Sequence, residues 1–163
     1  MLRGDFFMNP QLSQRESSDL TLYEQDYYLW IQKTIEKLHH NQFQEIDLQN
    51  LIAELESMGR SEKRSVQSNL TVLLMHLLKY KYQPNKRSQS WRSTIVEHRR
   101  RLLIVFKDSP SLRGYGQEIF AECYQDARQD GATETQLKVS VFPDECPFNL
   151  EVVLRVDYLA DEE

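Results

Sequence analysis

The sequence predicts an all-α protein, a helical bundle of about five long helices closed by a short C-terminal one. Apolar residues recur at i, i+3 or i+4, and i+7 in five successive windows, the period of a helix with a buried face. Five glycines and five prolines are too few for a sandwich or barrel of many short turns. One window is apolar on two nearly opposite sides, as a helix enclosed by others must be. At 163 residues the chain can bury a core without metals or disulfides. A single helical domain is expected over residues 20–158, between an N-terminal arm, residues 1–19, and an acidic tail, residues 159–163.

The arm mixes Ser, Gln, Asn and charges without period, which predicts disorder. It lacks the apolar centre of a secretion signal, and Met8 offers an alternative start within it. Thr21 and Glu24 have the spacing of a capping box for a first helix. Tyr23, Tyr27, Trp30, Ile31, Thr34 and Leu38 trace its inner face, and it ends near His39-His40-Asn41. Asp47 is a good N-cap for a second helix, with Ile46 and Leu51 placed as a hydrophobic staple. Its core face would be Leu48, Leu51, Ile52, Leu55 and Met58, and Gly59 would stop it.

Ser61 would cap a third helix running to Tyr82, with a stripe of Val66, Leu70, Leu73, Leu74, Leu77 and Tyr80. Val72 and Met75 lie nearly opposite, which makes this the central element. Pro84-Asn85 breaks the pattern. A fourth helix spans Gln89 to Lys107 on Trp91, Ile95, His98, Leu102, Val105 and Phe106. Ser109 as cap and Pro110 at the first helical position open a fifth, ending near Gly131. Gly114 and Gly116 weaken its first turns by about 1 kcal/mol each relative to Ala. Val139 to Phe142 reads as a short extended piece, and Asn149 caps a last helix over 150–156.

Charge is unevenly spread. Residues 79–107 hold nine cations against one carboxylate, Glu97, leaving −13 for the rest of a chain whose total is −5. Such segregation gives one surface an anion-attracting field on an acidic protein. Lys79, Arg92 and Arg99 are the anion-binding candidates, because Arg92 and Arg99 align seven apart and Lys79 ends the preceding helix. Basic residues interleaved with Tyr80, Tyr82 and Trp91 suit weak, sequence-independent nucleic-acid contact through residues 79–107. With twenty-four carboxylates elsewhere, neutralisation inside the molecule or by a partner is the favoured reading.

Chemistry is harder to find. No Gly-rich loop leads into Lys-Ser/Thr, no Gly-x-Ser-x-Gly elbow exists, and the cysteines, Cys123 and Cys146, fit neither a CxxC nor a zinc spacing. Two reduced, partly buried thiols suit a cytoplasmic protein. Adjacent His39 and His40 point about 100° apart on a helix and cannot share an ion, so neither metal nor cofactor is expected. His76, His98 and Glu54 are the catalytic candidates. His76 lies one turn from Lys79, where a buried imidazole could poise a proton, although a core-edge His bonded to a neighbour such as Glu54 explains it as well. No run approaches the length of a membrane span.

Several segments together resemble a known family, the cyanobacteria-rich domain-of-unknown-function 29 group. They are Leu22-Tyr23-Glu24-Gln25-Asp26-Tyr27-Tyr28-Leu29-Trp30, Leu51 through Glu62, His76-Leu77-Leu78-Lys79-Tyr80, Ser90-Trp91-Arg92, Asp108-Ser109-Pro110-Ser111-Leu112, and Phe142-Pro143 with Cys146-Pro147. The resemblance covers about residues 20–158 and implies a bundle-like helical fold, without implying an activity or functional residues. The leading functional expectation is a non-enzymatic interaction or regulatory module, working with a protein partner or by self-association. The rival is an enzyme acting on a phosphate-bearing substrate such as RNA or a nucleotide, which requires His76, His98, Glu54, Arg92 and Arg99 to converge.

Overall fold

The computed structural model describes residues 20–160; the expected arm, residues 1–19, and the end of the acidic tail lie outside the described residues. The elements in order are α1 (Leu22–Gln25), α2 (Tyr27–His39), α3 (Leu48–Tyr82), α4 (Gln89–Asp108), α5 (Ser111–Glu118), α6 (Phe120–Thr135) and α7 (Leu150–Val153). Short 3-10 turns at Phe43–Glu45, Pro84–Lys86 and Val139–Val141 link them, and no strand occurs among the described residues. The fold is all-α, as the periodicity requires.

Three of the capping predictions hold, whereas Ser61 lies inside α3 and α5 is preceded by Pro110 without a cap from Ser109. Thr21 and Glu24 form the capping box, the Asp47 carboxylate accepts from Asn50 N–H at 3.2 Å, and Asn149 accepts from Val152 N–H at 2.9 Å. Several helix boundaries differ from the expectation: the first expected helix breaks at Asp26 into α1 and α2, and the last ends at Val153 rather than at residue 156. The second and third expected helices are one 35-residue helix, α3, because Gly59 stays helical: no glycine among the described residues has positive φ. A glycine ends a helix by taking the chain left-handed; otherwise it costs only about 1 kcal/mol, which good helix formers on either side offset. The expected fifth helix breaks at Ile119 into α5 and α6, and α6 passes Gly131 to stop at Gln136, which takes the left-handed position at φ 58°. Residues 139–141 form a 3-10 turn, not an extended piece.

Among the described residues the chain falls into two compact units, the first ending at Glu56 and the second beginning at Ser57. The second unit holds the main core. Val66, Leu70, Leu73, Leu74, Leu77 and Leu78 of α3 are completely buried, and Met75 on the opposite side is nearly so, which is the enclosed helix the two-sided pattern predicts. Ile95, Leu102 and Phe106 of α4 join that core with Phe120, Cys123, Tyr124 and Ala127 of α6. Gly116 lets α5 approach α4 closely, since a Cβ there would lie 3.0 Å from the Phe106 ring. The C-terminal segment folds back with Phe142, Phe148, Leu150, Val153 and Leu154 in the same cluster.

Candidate functional site

The first unit is built around an aromatic clamp. Asp26 interrupts the chain between α1 and α2 and caps α2 by accepting from Leu29 N–H at 2.9 Å. The break brings Tyr23 edge-on to Trp30, centroids 4.9 Å apart, and stacks Tyr27 on Trp30 at 5.8 Å. Both phenols donate to one carboxylate of α3, Tyr23 to Glu54 Oε1 at 2.5 Å and Tyr27 to Oε2 at 2.8 Å. Those hydrogen bonds, Tyr23's first, hold the Glu54 carboxyl below its ordinary value. Glu54 is therefore a structural pin that ties the α1–α2 corner to α3.

What the clamp leaves uncovered is the notable surface of this unit. Among residues 20–56 the buried side chains are Trp30, Thr34 and Ile46. Leu48, Ile52 and Leu55, spaced along one face of α3, are 54%, 55% and 58% exposed. The next turn continues the exposure with Met58, and a Cβ on Gly59 would meet nothing within 4 Å. On α2, Tyr28, Ile35 and Leu38 also face outward. Eleven of the sixteen large exposed apolar side chains among the described residues fall within residues 20–56. This corrects the expectation that Leu48, Ile52, Leu55 and Met58 face the core: the same helical period that buries Val66 to Leu77 runs on to where nothing in the described chain covers it. Contiguous apolar exposure of this kind marks an association surface.

The sequence-predicted site residues are distributed and engaged. His76 Nδ1 is 3.0 Å from the Val72 carbonyl, and His98 Nδ1 is 2.9 Å from Asn69 Oδ1. Lys79 is buried, pairs with Glu134 and lies 4.6 Å from the centre of the Trp91 ring. Arg99 is also buried; its guanidinium donates to the carbonyls of Val153 at 2.8 Å, Val156 at 3.0 Å and Tyr158. Arg92 is exposed and donates to the Tyr80 hydroxyl. The surface strip of Lys79, Arg92 and Arg99 does not form, because two of its three cations are consumed inside the second unit. Arg100 and Arg101 both pair with Glu97. Seven-residue spacing aligned Arg92 with Arg99 correctly but could not say that α4 turns Arg99 toward three C-terminal carbonyls.

Burial pushes the imidazoles of His76 and His98 below their ordinary value. In the unfolded chain they take up protons first, at about pH 6.5. Stability they support above that pH is lost as pH falls toward their lower folded-state values. We expect the melting temperature to decline between about pH 7 and pH 5, and the His76→Gln, His98→Gln double variant to flatten that decline. Equal slopes in the two proteins would assign it to other groups. The exposed carboxylates held low by hydrogen bonds, Glu97 and Asp157 among them, act at more acidic pH.

Burial also raises the thiols, Cys123 and Cys146, the latter to about 11, so neither is poised as a nucleophile. Among the described residues no three His, Cys, Asp or Glu side chains group as metal ligands. No helix there is long and apolar enough to cross a membrane. Comparison with curated proteins and with solved structures finds no match. A family model does match, over residues 22–159, nearly the whole described chain. The chain belongs to the family described as Domain of unknown function DUF29.

Proposed function

We propose that the protein is a non-enzymatic interaction module, part of a bacterial regulatory system, whose docking surface is the apolar face of its N-terminal unit. The observation that carries this reading is the exposed row Leu48, Ile52 and Leu55 on a helix whose periodicity is that of a buried one. Its partner is another protein chain, either a second copy or a different protein, because an apolar helix face is matched by another amphipathic helix. The two free cysteines, Cys123 buried and Cys146 half-buried, suit a reducing cytoplasmic setting.

Replacing Ile52 and Leu55 by Glu should abolish association, measured by sedimentation equilibrium or by affinity capture from the host with and without RNase. The melting temperature should barely move, since exposed positions generally change stability by less than about 0.5 kcal/mol. A double variant that associates as the wild type does would refute the assignment. Capture that RNase abolishes would favour nucleic-acid contact through residues 79–107 instead. That second reading is weakened by the internal pairing of Lys79, Arg100 and Arg101. The enzymatic alternative has less support still: each of its proposed residues is already engaged with a separate neighbour.

A further inference from the structure

Tyr80, near the C-terminal end of α3, is 3% exposed, yet two exposed arginines hold it from different sides. Arg87 Nε donates to the Tyr80 carbonyl at 2.8 Å, and its guanidinium carbon lies 4.6 Å from the ring centre. Arg92 donates Nε and Nη2 to the phenol oxygen at 3.2 and 3.1 Å. That oxygen accepts twice, while its own O–H finds no acceptor among the described residues. Neither arginine has a carboxylate within ion-pair distance among the described residues, in contrast to Lys79, Arg100, Arg101, Arg113 and Arg128. Tyr80, Arg87, Ser88, Gln89 and Arg92 line an open pocket of about 190 Å³. Gln89 and Arg92 also border a wider groove of about 450 Å³, lined besides by Ser93, Val96, Val156, Leu159 and two carboxylates, Glu97 and Asp157.

We propose that this cradle binds the phosphate group of an organic phosphate monoester, with the organic body lying on Val96 and Val156 in the adjoining groove, where Glu97 and Asp157 face that body rather than the phosphate. The two guanidinium groups are immobilised by Tyr80 and carry charge without an ion-pair partner among the described residues. Their remaining N–H groups and the phenol proton are all donors, so the group they suit is an acceptor-only anion. A phosphate monoester supplies about −1.5 to −2 charges and three acceptor oxygens, which suits planar guanidinium forks. The N-terminus of α4, beginning at Gln89, adds to the same field. The apolar side chains beside it, Val96 at 53% and Val156 at 77% exposure, offer a surface to a flat or apolar body. A polynucleotide track is disfavoured because the next cations along α4, Arg100 and Arg101, are held by Glu97. This site lies in the second unit and is independent of the apolar face of the first.

The test is calorimetric titration of the full chain at low salt with a nucleoside 5′-monophosphate, inorganic phosphate and the unphosphorylated nucleoside. The monophosphate should bind, inorganic phosphate should bind more weakly and compete, and the nucleoside alone should not bind. Arg87→Gln and Arg92→Gln should each weaken the monophosphate at least tenfold. Tyr80→Phe, which keeps the ring, should weaken it several-fold. Val96→Asp should impair the monophosphate while sparing inorganic phosphate. Arg100→Gln and the Ile52→Glu, Leu55→Glu double variant should change nothing. If an Arg92→Gln variant misfolds by circular dichroism, Arg92→Lys, which keeps the charge but loses the fork, should fold and still lose binding.

A 5′-phosphorylated oligoribonucleotide tested beside its 5′-hydroxyl form separates a free small molecule from a strand end as the source of the monoester. Preference for the phosphorylated strand over the mononucleotide assigns the strand end. Equal, tighter binding of both strands would overturn the proposal in favour of backbone recognition. So would the absence of any binding at millimolar monophosphate, or an Arg100→Gln effect as large as that of Arg92→Gln.

Discussion

A chain ending at Val141 should show no cooperative thermal transition, whereas the full chain should melt sharply. That is the expected result because the removed segment carries Phe142, Phe148, Leu150, Val153 and Leu154, all buried in the main core. Each contributes about 1.5–3 kcal/mol on burial, so five together match the roughly 5–15 kcal/mol net stability of a typical domain. The loss is also polar. The Tyr124 hydroxyl donates to the Pro143 carbonyl at 2.6 Å, and Arg128 Nη2 donates to the Phe142 carbonyl at 3.1 Å and pairs with Asp144. Truncation would strand both side chains against the core. Leu150→Ala is the graded version, and should cost about 2–5 kcal/mol with the fold retained. A truncated chain that melts like the full one would show that the segment contributes nothing to the core.

Arg99→Met comes next in size. The side chain is 2% exposed, and burial presses its guanidinium below its usual value, which shows what its charge costs there. That cost is offset by hydrogen bonds to three carbonyls of the chain leaving α7, at Val153, Val156 and Tyr158. Methionine fills much of the volume but donates nothing, leaving the three carbonyls to find other partners. Leaving a buried acceptor unpaired generally costs about 1–3 kcal/mol, so losing the donor to all three should cost at least about 3 kcal/mol, or roughly 6–12 °C in melting temperature for a chain of this size. Arg99→Lys keeps the charge but cannot serve three acceptors, and should fall between wild type and Met. Arg92→Met is the control, since Arg92 is exposed, and should melt close to the wild type. An Arg99→Met protein as stable as the wild type would mean that the C-terminal segment is held by its apolar contacts alone.

The sequence by itself determined the helical class, the central position of α3 from Val66 onward, and the caps at Thr21, Asp47 and Asn149. These depend on neighbours within one or two turns: an apolar residue at every third or fourth position, or a side-chain oxygen three residues ahead of an amide. Local chemistry misjudged Gly59, because whether a glycine ends a helix depends on the path the chain takes after it, and here the path stays helical. The tertiary structure alone decided the fate of each basic residue. Lys79, Arg92 and Arg99 look equivalent in a charge count. One meets Glu134 and Trp91, one a phenol, and one three carbonyls more than fifty residues away. It also decided that the apolar row at Leu48, Ile52 and Leu55 stays bare while its continuation in α3 is buried. Periodicity states that a face is made to be covered; only the packing of the remaining chain determines whether the cover comes from within, and among the described residues full burial on α3 begins at Val66.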